Sequence, residues 1–252
     1  MTYEIDPFYQ NESIRKQYEG NPQGSQTGVL YNTRLIVADL ANLCYPFFMH
    51  ITSATFIKSC PDIQTLPEDQ KVQIACLGRS NVGKSSLINS LTKSRGLSHV
   101  SSTPGRTAFL NVFLINKDWY LIDLPGYGYA KRSKEERELL ESRIFEYLRY
   151  HPTLALVIID SNVGATDLDL ELISFLNSEE VPYIIIANKI DKQSGNQRAN
   201  TMRHLKQQFP DVRILLHSVK TEEGRTAILE TIAEAVKVAK KNPAPKKTLL
   251  TS

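Results

Sequence analysis

Eight residues, Gly78-Arg79-Ser80-Asn81-Val82-Gly83-Lys84-Ser85, constrain this chain more than any other stretch. They match G-x-x-x-x-G-K-[ST], after the apolar run VQIACLG (72–78) and ahead of a helical pattern from Lys84 to Lys93. A strand that turns through glycines into a helix aims successive backbone N–H groups, and the positive end of the helix dipole, at one point. That arrangement cradles phosphate. Lys84 is expected to reach the β- and γ-phosphates of a nucleotide, and the Ser85 hydroxyl to ligate Mg2+. The competing reading is a structural glycine turn, and the strand-to-helix context tells against it.

From Val72 onward, short β-rich runs alternate with helical patterns, the signature of βαβ units. FLNVFLIN and DWYLIDLP flank the turn Asn116-Lys117-Asp118 and read as a hairpin, which places one antiparallel strand in an otherwise parallel sheet. LALVIID, PYIIIANK and VRILLHS have the apolar density of strands covered on both faces. Of the helices, one after the hairpin should bury Leu140, Ile144, Tyr147 and Leu148. Another, capped by Thr166 or Asp167, should turn Leu168, Leu172 and Leu176 inward. The last, from about Arg225 to Lys240, should bury Ile228, Ile232 and Val236. The fold class is therefore α/β, a three-layer arrangement with helices on both faces of a mostly parallel sheet and one antiparallel edge strand.

A phosphate loop leaves ATPase, kinase and GTPase open, and two later motifs choose among them. Asp123-Leu124-Pro125-Gly126 follows the strand WYLI, so Asp123 can act on Mg2+ through water and Gly126 can donate its N–H to a γ-phosphate. Asn188-Lys189-Ile190-Asp191 follows YIIIA. A carboxylate such as Asp191 can accept two hydrogen bonds from the N1–H and exocyclic amine of guanine, an edge adenine does not present. Lys189 would lay its aliphatic stem along the base. His217-Ser218-Val219 leaves the last apolar run and could close the base pocket through the N–H groups of Ser218 and Val219, while His217 reads equally as a plain strand-end residue. Between the loop helix and the hairpin, SSTPGRTAF offers Thr103 and Thr107, each able to bind Mg2+ and sense the γ-phosphate.

Composition narrows the class further. The chain has 252 residues, with 41% hydrophobic and 23% charged, as a globular protein does. A net charge of +3 permits an anionic partner without demanding one. Its cysteines, Cys44, Cys60 and Cys76, form no C-x-x-C pair and no even set, which points to a reducing cytoplasm. The most apolar run, Leu35 to Phe48, is broken by Asp39, Asn42 and Pro46 and falls short of the ~20 residues a membrane helix needs. No membrane span is expected, and nothing points to DNA. Residues 1–48, with the turn-rich EGNPQGSQTG, read as an extension: a disordered leader or an upstream start, or else a docking arm. Residues 49–240 form the nucleotide domain, and 241–252 a basic tail expected to be disordered.

GRSNVGKSSLIN, TPGRT, DLPGYGYAK, NKID and HSV together resemble the EngB (YihA/YsxC) family of bacterial GTPases, over about Ile51 to Lys240. The resemblance implies a Ras-like GTP-binding fold that acts, as a monomer, in assembly of the large ribosomal subunit. It also implies a requirement in normal cell division and septation. By the same resemblance Gly105, Arg106, Thr107, Ala108 and Phe109 form the switch-loop contact with GTP or GDP. Thr107 joins Ser85 as a Mg2+ ligand, and Lys84, Thr107 and Gly126 act on the transferring phosphate. Asn188 stands where the family more often has Thr.

Efficient GTPases orient the attacking water with a glutamine just after D-x-x-G. Here that place holds Tyr127, and neither Tyr127 nor Tyr129 can act as a neutral amide. Unaided turnover is expected at ~10⁻⁴ to 10⁻³ per second, with a partner supplying acceleration. By resemblance to several GTPases in which an asparagine at this place helps bind K+ beside the phosphates, Asn81 is a candidate K+ ligand, or else only bonds its own loop. Two function classes remain. One is a GTP-gated switch that binds a large-subunit precursor, its Lys131, Arg132 and Lys134 contacting phosphates. The other is a GTP-gated division or scaffold protein that binds proteins without RNA.

Overall fold

The computed structural model describes residues 49–69, 71–94, 97, 109–128, 133–150 and 152–243. Seven strands form one sheet: β1 (Ala54–Cys60), β2 (Gln73–Gly78), β3 (Leu110–Ile115), β4 (Trp119–Asp123), β5 (Leu154–Asp160), β6 (Tyr183–Asn188) and β7 (Ile214–His217). Their order is β1-β3-β4-β2-β5-β6-β7. Among the described residues five α-helices accompany them: α1 (Lys84–Thr92), α2 (Lys134–Tyr150), α3 (Asp167–Ser178), α4 (Gly195–Gln208) and, after β7, α5 (Arg225–Lys241).

Strand alternation makes the layers. Ile74 and Cys76 of β2 pack with Leu87, Ile88 and Leu91 of α1 and Ile228, Ile232 and Val236 of α5. Their neighbours Ala75 and Leu77 face the other way, toward Ile144 and Tyr147 of α2, Leu172 and Leu176 of α3 and Leu205 of α4. Because side chains alternate with a period of two, a strand buried on both faces must be apolar along its middle, and β2, β5 and β6 are, with polar Gln73, Asp160 and Asn188 only at their ends.

The expected hairpin is present, with β3 antiparallel to β4. β1, a strand the apolar pattern does not announce, pairs antiparallel with β3 and covers it. The one strand running against the rest therefore lies one place inside the edge. β1 is half exposed, and its register shifts between Phe56 and Lys58, so its sequence carries no clean alternation.

Thr166 caps α3 through a reciprocal bond with Asp169. Leu172 and Leu176 are buried as expected, but Leu168 is not: it is 36% exposed. In the first turn it leans on the chain after the DLPG motif, its Cδ1 being 2.8 Å from where a Cβ on Gly128 would stand. The expected extension (1–48) and most of the tail (244–252) lie outside the described residues.

Candidate functional site

Parallel strands all end on the same side of a sheet, and here the C-terminal ends carry the motif residues. Register aligns them. Cys76 of β2 pairs with Asp123 of β4, Gly78 with Ile158 of β5, Asp160 with Asn188 of β6, and Asn188 with His217 of β7. The phosphate loop Arg79–Gly83 springs from β2 in the middle of this row and enters α1 at Lys84.

Gly83 caps α1 with φ +97°, and a Cβ there would meet Asn188 Nδ2 at 2.4 Å. Only glycine satisfies both conditions. That closeness serves a bond: Asn188 Nδ2 donates to the Val82 carbonyl at 2.9 Å, which ties the NKID strand end to the phosphate loop. Asn188 Oδ1 faces His217 Nδ1 at 2.9 Å. Since the Asn188 amide nitrogen is spent on a carbonyl, its oxygen is the acceptor and His217 Nδ1–H the donor. His217 is fully buried, its Nε2 without a hydrogen-bond partner among the described residues. Burial first, then the nearby Arg225 charge, pushes its pKa down to about 4, so the ring is neutral.

Lys189 has φ +69°, and its Nζ reaches across the loop to donate to the Asn81 carbonyl and to pair with Asp160 Oδ2 at 2.7 Å. Burial would raise the Asp160 pKa. The bonds from Lys189 and from the Asn162 backbone and side chain outweigh it and hold the carboxyl below its usual value. The Lys189 stem passes Gly83, its Cε being 3.7 Å from a Cβ built there. Ile190 is buried and anchors the short turn that presents Asp191. Asp191 Oδ1 accepts the Ser218 hydroxyl at 2.8 Å, and Ser218 Oγ in turn accepts the Lys220 and Thr221 N–H groups. The Ser218 N–H is engaged inside its own loop, on the Glu223 carbonyl at 3.1 Å. Of the two backbone donors expected at the base, this leaves Val219.

At the phosphate end, Lys84 Nζ bonds Asp123 Oδ1, the carboxylate being 2% exposed. Leu124 is buried, and its N–H donates to the Cys76 carbonyl at 3.1 Å, which fixes the strand end. Pro125 and Gly126 follow. A Cβ on Gly126 would lie 3.1 Å from Ser80 Oγ and 3.3 Å from the Ser80 backbone, so the two segments touch. Ser85, in the first turn of α1, is exposed at the same mouth. Together, a serine hydroxyl and an aspartate carboxylate are the hard oxygen donors Mg2+ prefers. Of the switch-loop residues, Gly105, Arg106, Thr107 and Ala108 fall outside the described residues, and Phe109 directly precedes β3.

Tyr127, which occupies the place of the water-orienting glutamine, is 6% exposed, and its hydroxyl donates to Asp169 Oδ1 at 2.8 Å. The phenol thus serves α3. Asp169, which spacing did not single out, is fully buried and bonded from three directions. A lone acid inside a helix reads as solvent-facing, and the only hint is its place three residues after Thr166.

A family model described as a 50S ribosome-binding GTPase matches residues 73–189. The "Probable GTP-binding protein EngB" of Bacteroides thetaiotaomicron is 40% identical over 201 residues, 77% of this chain and 100% of that protein. Its namesake in Fusobacterium nucleatum is 41% identical over 190 residues, 74% of this chain and 98% of that one. A crystal structure of a probable GTP-binding protein engB matches with a TM-score of 0.56 at 25% identity, over 66% of this chain and 100% of that chain. Era from Aquifex aeolicus, solved with GDP.AlF4-, shares the fold: TM-score 0.53, 23% identity, 72% of this chain and 60% of that one. Relatives matched over their whole length at about 40% identity, together with a Ras-like sheet whose strand ends carry all three nucleotide motifs, place this chain in the EngB family of P-loop GTPases, as a GTP hydrolase.

Proposed function

We propose that this chain is a GTP-gated switch in assembly of the large ribosomal subunit, a slow GTPase until a partner accelerates it. The observation that carries guanine choice is the Ser218–Asp191 bond: it fixes one carboxylate oxygen and presents the acid beside a loop tied directly to the phosphate cradle. GTP would lie with its phosphates against Gly78–Ser85 and its base against Lys189, Asp191 and Val219. Ser85, Thr107 and, through water, Asp123 would hold Mg2+, which when bound offsets charge on the β- and γ-phosphates. Lys84 would exchange its bond with Asp123 for phosphate oxygens, and Gly126 N–H would contact the γ-phosphate. The Tyr127 hydroxyl is committed to Asp169, so this residue brings no group to the attacking water. K+ at Asn81 would supply positive charge where other GTPases use an arginine.

Three considerations support a ribosomal partner. The matching family model is described as ribosome-binding, its match to residues 73–189 takes in the phosphate loop and DLPG and ends within NKID, and the segment 127–134 is basic and aromatic. The chain would act as a cytoplasmic monomer, and among the described residues no helix is long and apolar enough to cross a membrane. A role in cell division and septation would follow from ribosome supply, or from direct protein contacts if the chain is a GTP-gated scaffold that binds no RNA.

Co-sedimentation with large-subunit precursors at increasing salt separates these. A switch that grips RNA binds more tightly with a GTP analogue than with GDP, and its affinity falls steeply with salt. Changing Lys131, Arg132 and Lys134 together should flatten that dependence by about one unit of slope per lost phosphate contact, with nucleotide binding intact. Binding that ignores both salt and these three residues would favour the scaffold.

A further inference from the structure

Asp169, at the third position of α3, has no exposed surface. A carboxylate without water is tolerated where its acceptor sites are filled and its charge is offset. Oδ2 accepts the Thr166 N–H at 2.9 Å and the Thr166 hydroxyl at 2.8 Å, and Oδ1 accepts the Tyr127 hydroxyl at 2.8 Å. Arg79 Nε stands 3.3 Å from Oδ2 as an ion pair, its N–H off the line of a hydrogen bond. Capping the helix requires only Thr166. The other two partners come from the phosphate loop and from the residue after Gly126.

Those two partners are also joined through their backbones. Arg79 and Tyr127 form a parallel bridge, and Ser80 N–H donates to the Tyr127 carbonyl at 3.0 Å. Burial, then the Asp169 charge, pushes the Tyr127 phenol well above its ordinary pKa, so it keeps its proton and remains the donor. Tyr127 is therefore held at its main chain and at the far end of its side chain. Gly126 lies between this fixed residue and Ser80, at contact distance from the Ser80 backbone.

We propose that Asp169 is a positioning residue for GTP recognition: through Tyr127 and Arg79 it holds the Gly126 peptide against the phosphate loop, so that contact with the γ-phosphate needs no further ordering. The inference rests on the proposed Gly126–γ-phosphate contact. GDP has no γ-phosphate, so the anchor shows itself in the ratio of two affinities and not in either one alone.

The test measures Kd for GDP and for a non-hydrolysable GTP analogue, with melting temperature alongside. Tyr127→Phe removes one hydroxyl and leaves the ring in place. It should weaken the analogue roughly three- to tenfold, the worth of one such bond, and GDP by less than about twofold. Asp169→Asn, which loses the charge facing Arg79 and alters the partner of the Tyr127 hydroxyl, should shift the ratio the same way, and adding Tyr127→Phe to it should cost less than in the parent, because both act on the Tyr127–Asp169 link. Thr166→Ala removes one hydroxyl donor from Asp169 Oδ2 and leaves the Tyr127 and Arg79 contacts in place, so it should lower the melting temperature with the ratio unchanged. If Asp169→Asn does not fold, Tyr127→Phe and Thr166→Ala decide. A ratio unmoved by Tyr127→Phe, or an equal loss for both nucleotides, overturns the proposal. Gly126→Ala separates the premises: if it leaves the ratio unmoved, the γ-phosphate contact itself is wrong, whereas a ratio that moves here and not in Tyr127→Phe overturns only the role of Asp169.

Discussion

Asn188 Nδ2 donates to the Val82 carbonyl across 106 residues of sequence, at 2.9 Å and out of contact with water. The same side chain accepts His217 Nδ1–H, so one amide joins the phosphate loop, the NKID strand end and the last strand. Replacing Asn188 with Ala strands a buried carbonyl and a buried ring N–H together. Expected is a loss of about 1–3 kcal/mol in urea unfolding, with weaker binding of GTP and GDP alike. A variant that unfolds at the parent's midpoint would show that the amide is dispensable.

His217 gives the fold a pH dependence whose sign is set by burial. Its folded pKa of about 4 lies below the ordinary histidine value of 6.5, so the native state binds fewer protons than the unfolded chain between those values. The stabilisation is complete above about pH 6.5 and is lost as pH falls toward 4. By pH 5 the loss should be on the order of 2 kcal/mol. Arg225, held by the Ser90 and Leu91 carbonyls, opposes protonation, and Asp191 favours it. His217→Asn keeps a donor for Asn188 and cannot titrate. Its stability should therefore fall less than the parent's between pH 7 and pH 5, and parallel curves for the two proteins would exclude His217 as the source.

The three nucleotide motifs were legible because each pairs a fixed residue spacing with a strand end, and the sheet register then carries them to one mouth. What the sequence hid has physical reasons. α4 (Gly195–Gln208) buries only Leu205, so it has no apolar stripe to read, and its one local sign is the Ser194–Gln197 capping box. β1 is half exposed and bulged. Leu168 fits the helical spacing of Leu172 and Leu176 yet stands in the first turn, where the neighbouring chain at Gly128, not the sheet, receives it. Asp169 could not be ranked above any other acid, since what marks it is three partners distant in sequence or hidden in a cap.

On the proposed reading, base choice rests on Asp191. Ser218 donates to its Oδ1, and in Asp191→Asn the same hydroxyl favours placing the amide oxygen there, which puts Nδ2 where the second carboxylate oxygen was. That nitrogen repels the guanine amine and suits the carbonyl xanthine carries in its place. GTP affinity should fall roughly 10- to 100-fold and xanthosine triphosphate affinity rise correspondingly. Competition binding with both nucleotides checks this, and unchanged GTP affinity would remove Asp191 from the base pocket.

The phosphate loop itself supplies the last expectation. Asn81 adopts φ +71° and is exposed, and its carbonyl is held by Lys189 Nζ, so the backbone of the loop is pinned there. An amide oxygen in that place can help coordinate K+ beside the phosphates, where a positive charge would offset what builds up as the γ-phosphate departs. Alanine is a poor probe, because a Cβ at positive φ brings strain of its own that asparagine tolerates better. Asn81→Gly removes the amide and accepts the same φ. GTP hydrolysis measured with saturating Mg2+, in KCl and in NaCl at matched ionic strength, should be faster in KCl for the parent by about tenfold, the effect of ~1.4 kcal/mol on the barrier. The advantage should vanish in Asn81→Gly, with nucleotide affinity retained. Equal parental rates in the two salts would falsify a role for K+, and a K+ advantage that survives in Asn81→Gly would move the cation to other ligands.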